Sequence, residues 1–236
     1  MDAILNKPAI DANRNVTLLK LALCTTAISL AALMFLHFFS PEFSPAWRMI
    51  SEYAQGKYEW VLSVFFLSGG ISVWCAACSF WSIIQNTWAK IGIVLLFISG
   101  FRGLMASIFN VSHPLHGIAA LLGVPSFPLA SMLISYDLCK CYSFNHRRLM
   151  WAANFTWISI VFMVITMILM ISGLKKAGNF HPGTYGFPKI IPAGVIALAG
   201  YANKILVLAN SYWLILVSFE NIKISKRVDQ YDKRYN

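Results

Sequence analysis

Residues 151–173 read WAANFTWISIVFMVITMILMISG, a run of 23 residues without one charged side chain. The hydrocarbon core of a bilayer is about 30 Å thick, and a helix of about 20 apolar residues crosses it. This run therefore predicts a transmembrane helix. No part of the chain alternates apolar and polar residues as a strand does, so the predicted fold class is an all-α membrane bundle. Five further apolar runs bring the predicted total to six transmembrane helices, at 18–39, 60–84, 88–110, 115–137 and 190–219.

The composition of the whole chain is that of a membrane protein. Of its 236 residues, 58% are hydrophobic and 12% are charged, whereas soluble domains carry about 25% charged residues. The formal net charge is +10, but the basic residues cluster between the apolar runs and at the C-terminus. This placement indicates membrane topology and argues against nucleic-acid binding. We expect a cytoplasmic segment at 1–17, a transmembrane domain at 18–219 and a basic cytoplasmic tail at 220–236.

The distribution of Lys and Arg predicts the orientation of the bundle. Positively charged loops stay preferentially in the cytoplasm. The side that holds both termini carries twelve basic residues and the other side five, which favours cytoplasmic termini. The twelve are Lys7, Arg14, Lys20, Lys90, Lys140, Arg147, Arg148, Lys223, Lys226, Arg227, Lys233 and Arg234, and the five are Arg48, Lys57, Lys175, Lys176 and Lys189.

Two charged side chains, Arg102 and Lys204, fall inside predicted spans. Such groups are costly in a bilayer and usually face the bundle interior, paired or beside water. No acidic residue lies at matching depth unless Glu52 dips inward, so the missing anion is predicted to come from a ligand headgroup. The structural alternative is snorkelling or pairing with backbone carbonyls. The candidate ligand-binding residues are Arg102, Lys204, Asn203, Glu52, Ser51, Tyr53, His116 and Asn110.

Small residues surround both of these charges. Gly, Ala and Ser recur at helical spacing around Arg102 on span three and around Lys204 on span six. Such residues let helices pack closely in lipid. We therefore expect spans three and six to be central in the bundle, with Asn110, Asn203 and Asn210 adding hydrogen bonds there.

The turn NVSHPLHGIAA, residues 110–120, places two histidines between two spans. Pro114 suits the first position of a helix, because its missing N–H would have no partner there. His113 would then lie near the helix cap. The alternative is a metal site with an open fourth position, as in zinc hydrolases. Zinc is the candidate cofactor, and its candidate ligands are His113, His116, His181 and Glu52.

The first outer loop contains SPAWRMISEYAQGKYEW, residues 44–60. Arg48 and Glu52 are four residues apart, which permits an ion pair within one helical turn. The loop is predicted to form a short helix at the membrane interface. The functional alternative is that Ser51, Glu52 and Tyr53 fold inward as a lid over a cavity.

The stretches ISEYAQGKYEW (50–60) and FNVSHPLHGIAA (109–120) resemble a family of six-helix prokaryotic membrane proteins known as domain of unknown function 998. A Ser-x-Tyr-Ala stretch after the first span and a His-Gly opening the fourth are typical of that family. The matching residues here are Ser51, Tyr53, Ala54, Gly56, His116 and Gly117. The family often carries Phe-Pro-x-Asp before the His-Gly, whereas this chain has Phe109-Asn110-Val111-Ser112 and lacks the acid. The resemblance implies a six-helix fold in a bacterial or archaeal cytoplasmic membrane, and no reaction.

These observations favour a non-enzymatic bundle over an enzyme. The leading hypothesis is a protein that binds, senses or moves an amphiphile or membrane lipid with an anionic headgroup, in an outward-facing cavity near Arg102 and Lys204. The first alternative is a metal-dependent lipid hydrolase built on the outer histidines. The second is a structural subunit of a membrane assembly, in which the charges serve only packing.

Overall fold

The computed structural model describes residues 9–109, 111–141, 146–178, 188 and 190–235. This part of the chain is all-helical and contains no strand, which confirms the predicted fold class. Six helices are long and apolar enough to cross a membrane, so the protein is an integral membrane protein. The helices are α1 (Ala9–Phe39), α2 (Glu59–Ile83), α3 (Thr87–Ile108), α4 (Pro114–Cys141), α5 (His146–Lys176) and α6 (Ala199–Tyr235), with a short 3-10 helix at Ile50–Gln55 between α1 and α2.

The largest difference from the predicted bounds is at α6. The sixth span was predicted at 190–219, but the helix begins at Ala199 and continues to Tyr235. Pro192 has no N–H for a helical hydrogen bond, and Gly194 has a φ of 83°, a left-handed conformation incompatible with an α-helix. The charged residues after 219 end a membrane span, but they do not end a helix.

Most helices pack on the helices that precede and follow them in the chain. α2 packs closely on α1 and α3, α3 packs on α4, and α6 returns to contact α1 and α5. The most enclosed span is α2, and not α3 or α6 as their small residues had suggested. At the α2–α3 crossing, a Cβ added to Gly103 would lie 2.9 Å from Gly70 Cα, so the two backbones touch there. The small residues of α3 thus bring α2 into the centre.

We call the face of the bundle where α1 ends and α2 begins the loop face, and the opposite face, where α1 begins, the terminal face. The two larger apolar clusters lie towards opposite ends of the bundle. The terminal-side cluster contains residues from all six helices, among them the fully buried Trp213. The indole Nε1 of Trp213 donates to Ser135 Oγ at 2.8 Å. The loop-side cluster joins α1, α2 and the 3-10 helix and consists of Ala32, Leu33, Leu36, Phe43, Ile50, Tyr53, Val61, Leu62, Phe65 and Phe66.

Candidate functional site

Arg102 projects from the loop-face half of α3 towards the bundle interior. Its aliphatic stem crosses α4 at Gly123, where an added Cβ would lie only 2.8 Å from Arg102 Cδ. The absence of a side chain at Gly123 therefore makes room for the arginine. The Arg102 Nε atom is fully enclosed and has no hydrogen-bond partner, and no described residue forms a hydrogen bond or an ion pair with the guanidinium.

Arg102 borders a cavity of about 80 Å³ that is lined by five helices, α1, α2, α3, α4 and α6. Asn210 of α6 also borders it, and its Oδ1 atom is likewise buried without a hydrogen-bond partner. Buried polar atoms in proteins are almost always hydrogen-bonded, so two such atoms at one cavity require an explanation. The lining comprises Thr26, Ser29, Phe65, Phe66, Gly69, Gly70, Ser72, Val73, Ser99, Arg102, Gly103, Phe127, Val207, Asn210, Ser211 and Leu214.

Hydroxyl groups make up much of the remaining polar lining. Those of Thr26, Ser29 and Ser72 donate to backbone carbonyls of α1 and α2. The hydroxyls of Ser99 and Ser211 form no hydrogen bond with any residue that the structure describes. The cavity therefore offers a cation, an amide and two available hydroxyls inside an otherwise apolar bundle.

Lys204 has a different environment. Its ammonium donates to three backbone carbonyls, those of Pro45 at 3.2 Å, Arg48 at 3.0 Å and Gly200 at 3.3 Å. Pairing with backbone carbonyls was the structural alternative considered from the sequence, and Lys204 is not among the residues that line the cavity. The lysine is 8% exposed and ties the loop after α1 to the first turn of α6.

The same loop makes further bonds to α6. The backbone N–H of Gly200 donates to the Ala46 carbonyl at 2.8 Å. This bond satisfies one of the N–H groups in the first turn of α6, which have no acceptor within the helix. The side-chain Oδ1 of Asn203 accepts from the backbone N–H of Ile50 at 3.0 Å. A Cβ at Gly200 would lie 2.6 Å from the Pro45 carbonyl, so the loop backbone rests directly on the helix. We call residues 45–53 together with Gly200, Asn203 and Lys204 the loop clamp.

The predicted ion pair completes the loop clamp. Arg48 Nη1 lies 2.7 Å from Glu52 Oε1, and both side chains are buried. Glu52 Oε2 also accepts from the Met49 backbone N–H at 2.7 Å, and its charge interacts with Lys204. Ser51 lies in the same short helix and stays partly exposed. The loop therefore packs on α6 and is held there by buried polar contacts.

Tyr53 is the last residue of the 45–53 segment in the loop clamp, and its side chain lies in the loop-side cluster. It is 1% exposed, and its hydroxyl lies 3.4 Å from His37 Nδ1. Burial, and to a lesser degree the negative charge of Glu42, raises the pKa of Tyr53 to about 12. The phenol therefore remains neutral at physiological pH.

This raised pKa predicts a loss of stability in alkali. The ordinary tyrosine pKa is 10.0, so Tyr53 contributes its full stabilisation below pH 10 and loses it as the pH rises towards 12. We expect the unfolding temperature of the wild type to fall more steeply over this interval than that of Tyr53→Phe. Parallel thermal melts across the interval measure the difference. Identical slopes in the two proteins would contradict the assignment.

The histidine turn forms a helix start. Pro114 is the first residue of α4, and His113 Nδ1 accepts from the backbone N–H of Leu115 at 3.2 Å, as a capping side chain does. The His116 Nδ1 atom lies 3.0 Å from the Phe109 carbonyl oxygen. Its ring meets the edge of Phe66, a residue of the cavity lining. His116 therefore lies beside the cavity and interacts electrostatically with Arg102.

The proposed zinc set is not assembled within the described residues. No group of three or more His, Cys, Asp or Glu side chains lies close enough there to hold a metal ion. Glu52 is engaged in the loop clamp by Arg48 and Met49. His181 and Asn110, two further candidates, lie outside the described residues.

The structure thus divides the candidates into two places. Arg102 and His116 lie at or beside the cavity, whereas Lys204, Asn203, Glu52, Ser51 and Tyr53 belong to the loop clamp. The cavity hydroxyls of α1 and α2 were not predicted, and Asn210 was expected only to form hydrogen bonds between helices. Their only signal was the spacing of Thr26 and Ser29, three apart on one helical face within an apolar run.

Comparison with known proteins identifies the family. No curated protein and no solved structure shows a significant match to the chain. The family described as protein of unknown function (DUF998) matches residues 23–220, which include all six membrane spans in whole or in most part. The match therefore covers the cavity and the loop clamp together. The chain belongs to the DUF998 family of integral membrane proteins.

Proposed function

We propose that this protein binds an amphiphile with an anionic headgroup in its intramembrane cavity, and that the Arg102 guanidinium is the contact for the anion. The observation that carries the proposal is the enclosed Arg102 Nε atom, which borders the cavity without a hydrogen-bond partner. A cation in the membrane interior is costly unless an anion or water offsets its charge. A bound headgroup would supply both the charge and the acceptor that the described residues do not.

The polar groups around Arg102 support an oxyanion as the ligand. A carboxylate or phosphate accepts several hydrogen bonds at once, and those donated by a guanidinium are the strong ones. Ser99 and Ser211 add hydroxyl donors on two sides of the same cavity. Lys204 contributes to this function indirectly, because the loop it holds packs on the α1 and α2 residues above the cavity.

Arg102→Met tests the proposal. The probe is dodecyl phosphate, titrated into the purified protein in phosphatidylcholine nanodiscs and followed by native mass spectrometry or calorimetry. Loss of a charged hydrogen bond costs about 1.5–3 kcal/mol, so we expect affinity to fall about 10- to 100-fold. The unfolding temperature should not decrease, because methionine breaks no hydrogen bond that Arg102 makes with the described residues.

Lys90→Met is the matched control, since Lys90 lies on the same helix near the terminal face. It should bind dodecyl phosphate like the wild type. Undiminished binding by Arg102→Met would refute the proposal. A zinc-sized adduct that disappears in His116→Ala would favour the hydrolase alternative instead.

We also propose that both termini lie in the cytoplasm of a bacterial or archaeal cell, so that the loop face is the outer side. The support is the excess of Lys and Arg on the terminal face, twelve against five, together with the prokaryotic character that the sequence resemblance implies. On this orientation the loop clamp lies on the outer side of the bundle.

A further inference from the structure

The cavity is closed towards both membrane surfaces by apolar side chains. Phe65 and Phe66 line it and also belong to the loop-side cluster, beneath the buried ring of Tyr53. Phe127 and Leu214 line it from the opposite side and belong to the terminal-side cluster. An anion dissolved in water would have to pass through one of these clusters. Both routes along the membrane normal are therefore unfavourable.

The sides of the cavity are less completely closed. Arg102 on α3 and Val207, Asn210 and Ser211 on α6 all keep partial exposure, whereas most other lining residues are buried. The incomplete wall therefore includes the region between α3 and α6. α4 is the next helix on this side, and its contacts with α6 are sparse.

The two halves of α4 differ sharply in burial. No residue from Pro114 to Leu122 is buried, whereas Gly123 and many residues after it are. The buried half is bonded to α5, since the hydroxyls of Ser131 and Thr156 lie 2.9 Å apart. The loop-face half is therefore less closely packed than the rest of α4, and it begins beside Arg102 at Gly123. We call the space between residues 114–122 of α4 and residues 207–211 of α6 the side portal.

We propose that the ligand enters the cavity from the bilayer through the side portal, and that it is a lipid with a bare phosphate or carboxylate head whose alkyl tail lies along the loop-face half of α4. This inference rests on the proposed function and specifies its ligand. Leu115 and Leu122 lie next to the bundle-facing side of that half, and their apolar side chains are exposed. They continue from the cavity as a surface suited to an alkyl chain.

The size of the cavity restricts the headgroup. A cavity of about 150 Å³ in a protein core accepts one benzene molecule. The present cavity, at about 80 Å³, has room for a group of a few heavy atoms. A phosphate or carboxylate fits this space, and a sugar or inositol headgroup does not. The Arg102 guanidinium would meet the small anion, and the tail would remain in the portal.

Two tryptophan variants on α4 test the portal. Ala120 is partly buried on the bundle-facing side of the helix, whereas Leu121 is 76% exposed. Ala120→Trp places its bulk in the portal, and Leu121→Trp places the same bulk in lipid. With dodecyl phosphate as the probe, we expect Ala120→Trp to weaken binding at least tenfold and Leu121→Trp to stay within about twofold of the wild type. Inorganic phosphate should bind far more weakly than dodecyl phosphate.

The outcomes separate this inference from the proposed function. Equal binding of inorganic and dodecyl phosphate, both sensitive to Arg102→Met, would overturn the portal and leave the anion site standing. If Ala120→Trp binds dodecyl phosphate as tightly as the wild type does, the portal is likewise overturned and the anion site remains. If neither probe binds the wild type, the proposed function fails as well.

A second measurement does not depend on the folding of Ala120→Trp. An alkyl phosphate with a photoreactive diazirine at the end of its tail is irradiated with the wild-type protein, and the adducts are mapped by peptide mass spectrometry. We expect adducts on residues 114–122 of α4 that are lost in Arg102→Met. Arg102-dependent adducts confined to α1 or to the loop at 40–58 would overturn the side portal.

Discussion

We expect Lys204→Met to destabilise the protein strongly, through the loss of the contacts that hold the loop clamp on α6. The ammonium satisfies the carbonyls of Pro45, Arg48 and Gly200, and its charge offsets that of buried Glu52. Methionine has a similar length but donates no hydrogen bond, so the carbonyls lose their donor and the Glu52 carboxylate loses a cationic neighbour. Removing one member of a buried charged network costs about 3–5 kcal/mol. We expect a decrease of several degrees in the unfolding temperature of the detergent-solubilised protein.

Limited proteolysis locates the effect of this change. Trypsin cleaves after Arg48 and Lys57, which flank the 3-10 helix, and Arg48 is buried while the loop clamp is closed. A loss of about 3 kcal/mol in the stability of the loop clamp raises the open population roughly 100-fold, because each 1.4 kcal/mol is a factor of ten. Cleavage after Arg48 should accelerate accordingly.

Lys223→Met is the matched control for this prediction. Lys223 lies on the same helix and is exposed, so its replacement should change neither the melt nor the digestion. If Lys204→Met melts and digests like the wild type, the loop is held by its apolar contacts and the three hydrogen bonds are dispensable.

Gly103→Leu is expected to have the second largest effect, through the contact between α2 and α3. A Cβ at Gly103 would lie 2.9 Å from both Gly70 Cα and the Phe66 carbonyl, atoms of the facing backbone that cannot move independently. The helices would have to separate, and overpacking of this kind costs about 1–3 kcal/mol, occasionally more. Because Gly103 also lines the cavity, dodecyl phosphate binding should be lost along with stability. Thermal melts and the nanodisc titration measure both effects.

Gly117→Leu is the control for Gly103→Leu, because it introduces the same side chain at a helical glycine that has no close neighbour. An added Cβ at Gly117 would meet no atom within 4 Å, so leucine fits without strain. Glycine is about 1 kcal/mol less favourable than alanine inside a helix, and leucine is nearly as good a helix former as alanine. We expect the unfolding temperature to stay level or rise. Equal destabilisation by Gly103→Leu and Gly117→Leu would show that helix spacing is not what requires glycine at the α2–α3 crossing.

Several features of the protein were predictable because their causes are local. The cost of burying polar groups in lipid requires each long apolar run to form its own helix, and residues 151–173 meet that requirement within α5. The Arg48–Glu52 ion pair follows from their spacing of four residues, and the helix start at Pro114 follows from the chemistry of proline. The family was recognisable for the same reason, since its motifs are short stretches of adjacent residues.

Other features depend on contacts between segments that are far apart in the chain. Arg102 and Lys204 look alike in sequence, each a cation in an apolar run with small neighbours. Lys204 meets carbonyls about 156 residues away, because the loop after α1 folds onto α6. Arg102 forms no hydrogen bond with a carbonyl of the described residues, because the helices around it enclose a cavity. Nothing local to either residue distinguishes these outcomes.

The sequence alone determined the six membrane helices, the short-range ion pair and the helix start, because these result from interactions within a single segment and its solvent. The tertiary structure decided that α2 is central, that the first loop is held by Lys204, and that Arg102 and Asn210 share a cavity. The physical reason is that helices in lipid associate through close packing and interhelical hydrogen bonds. Those contacts depend on which faces meet, and apolar periodicity does not specify the faces when every face of a helix is apolar.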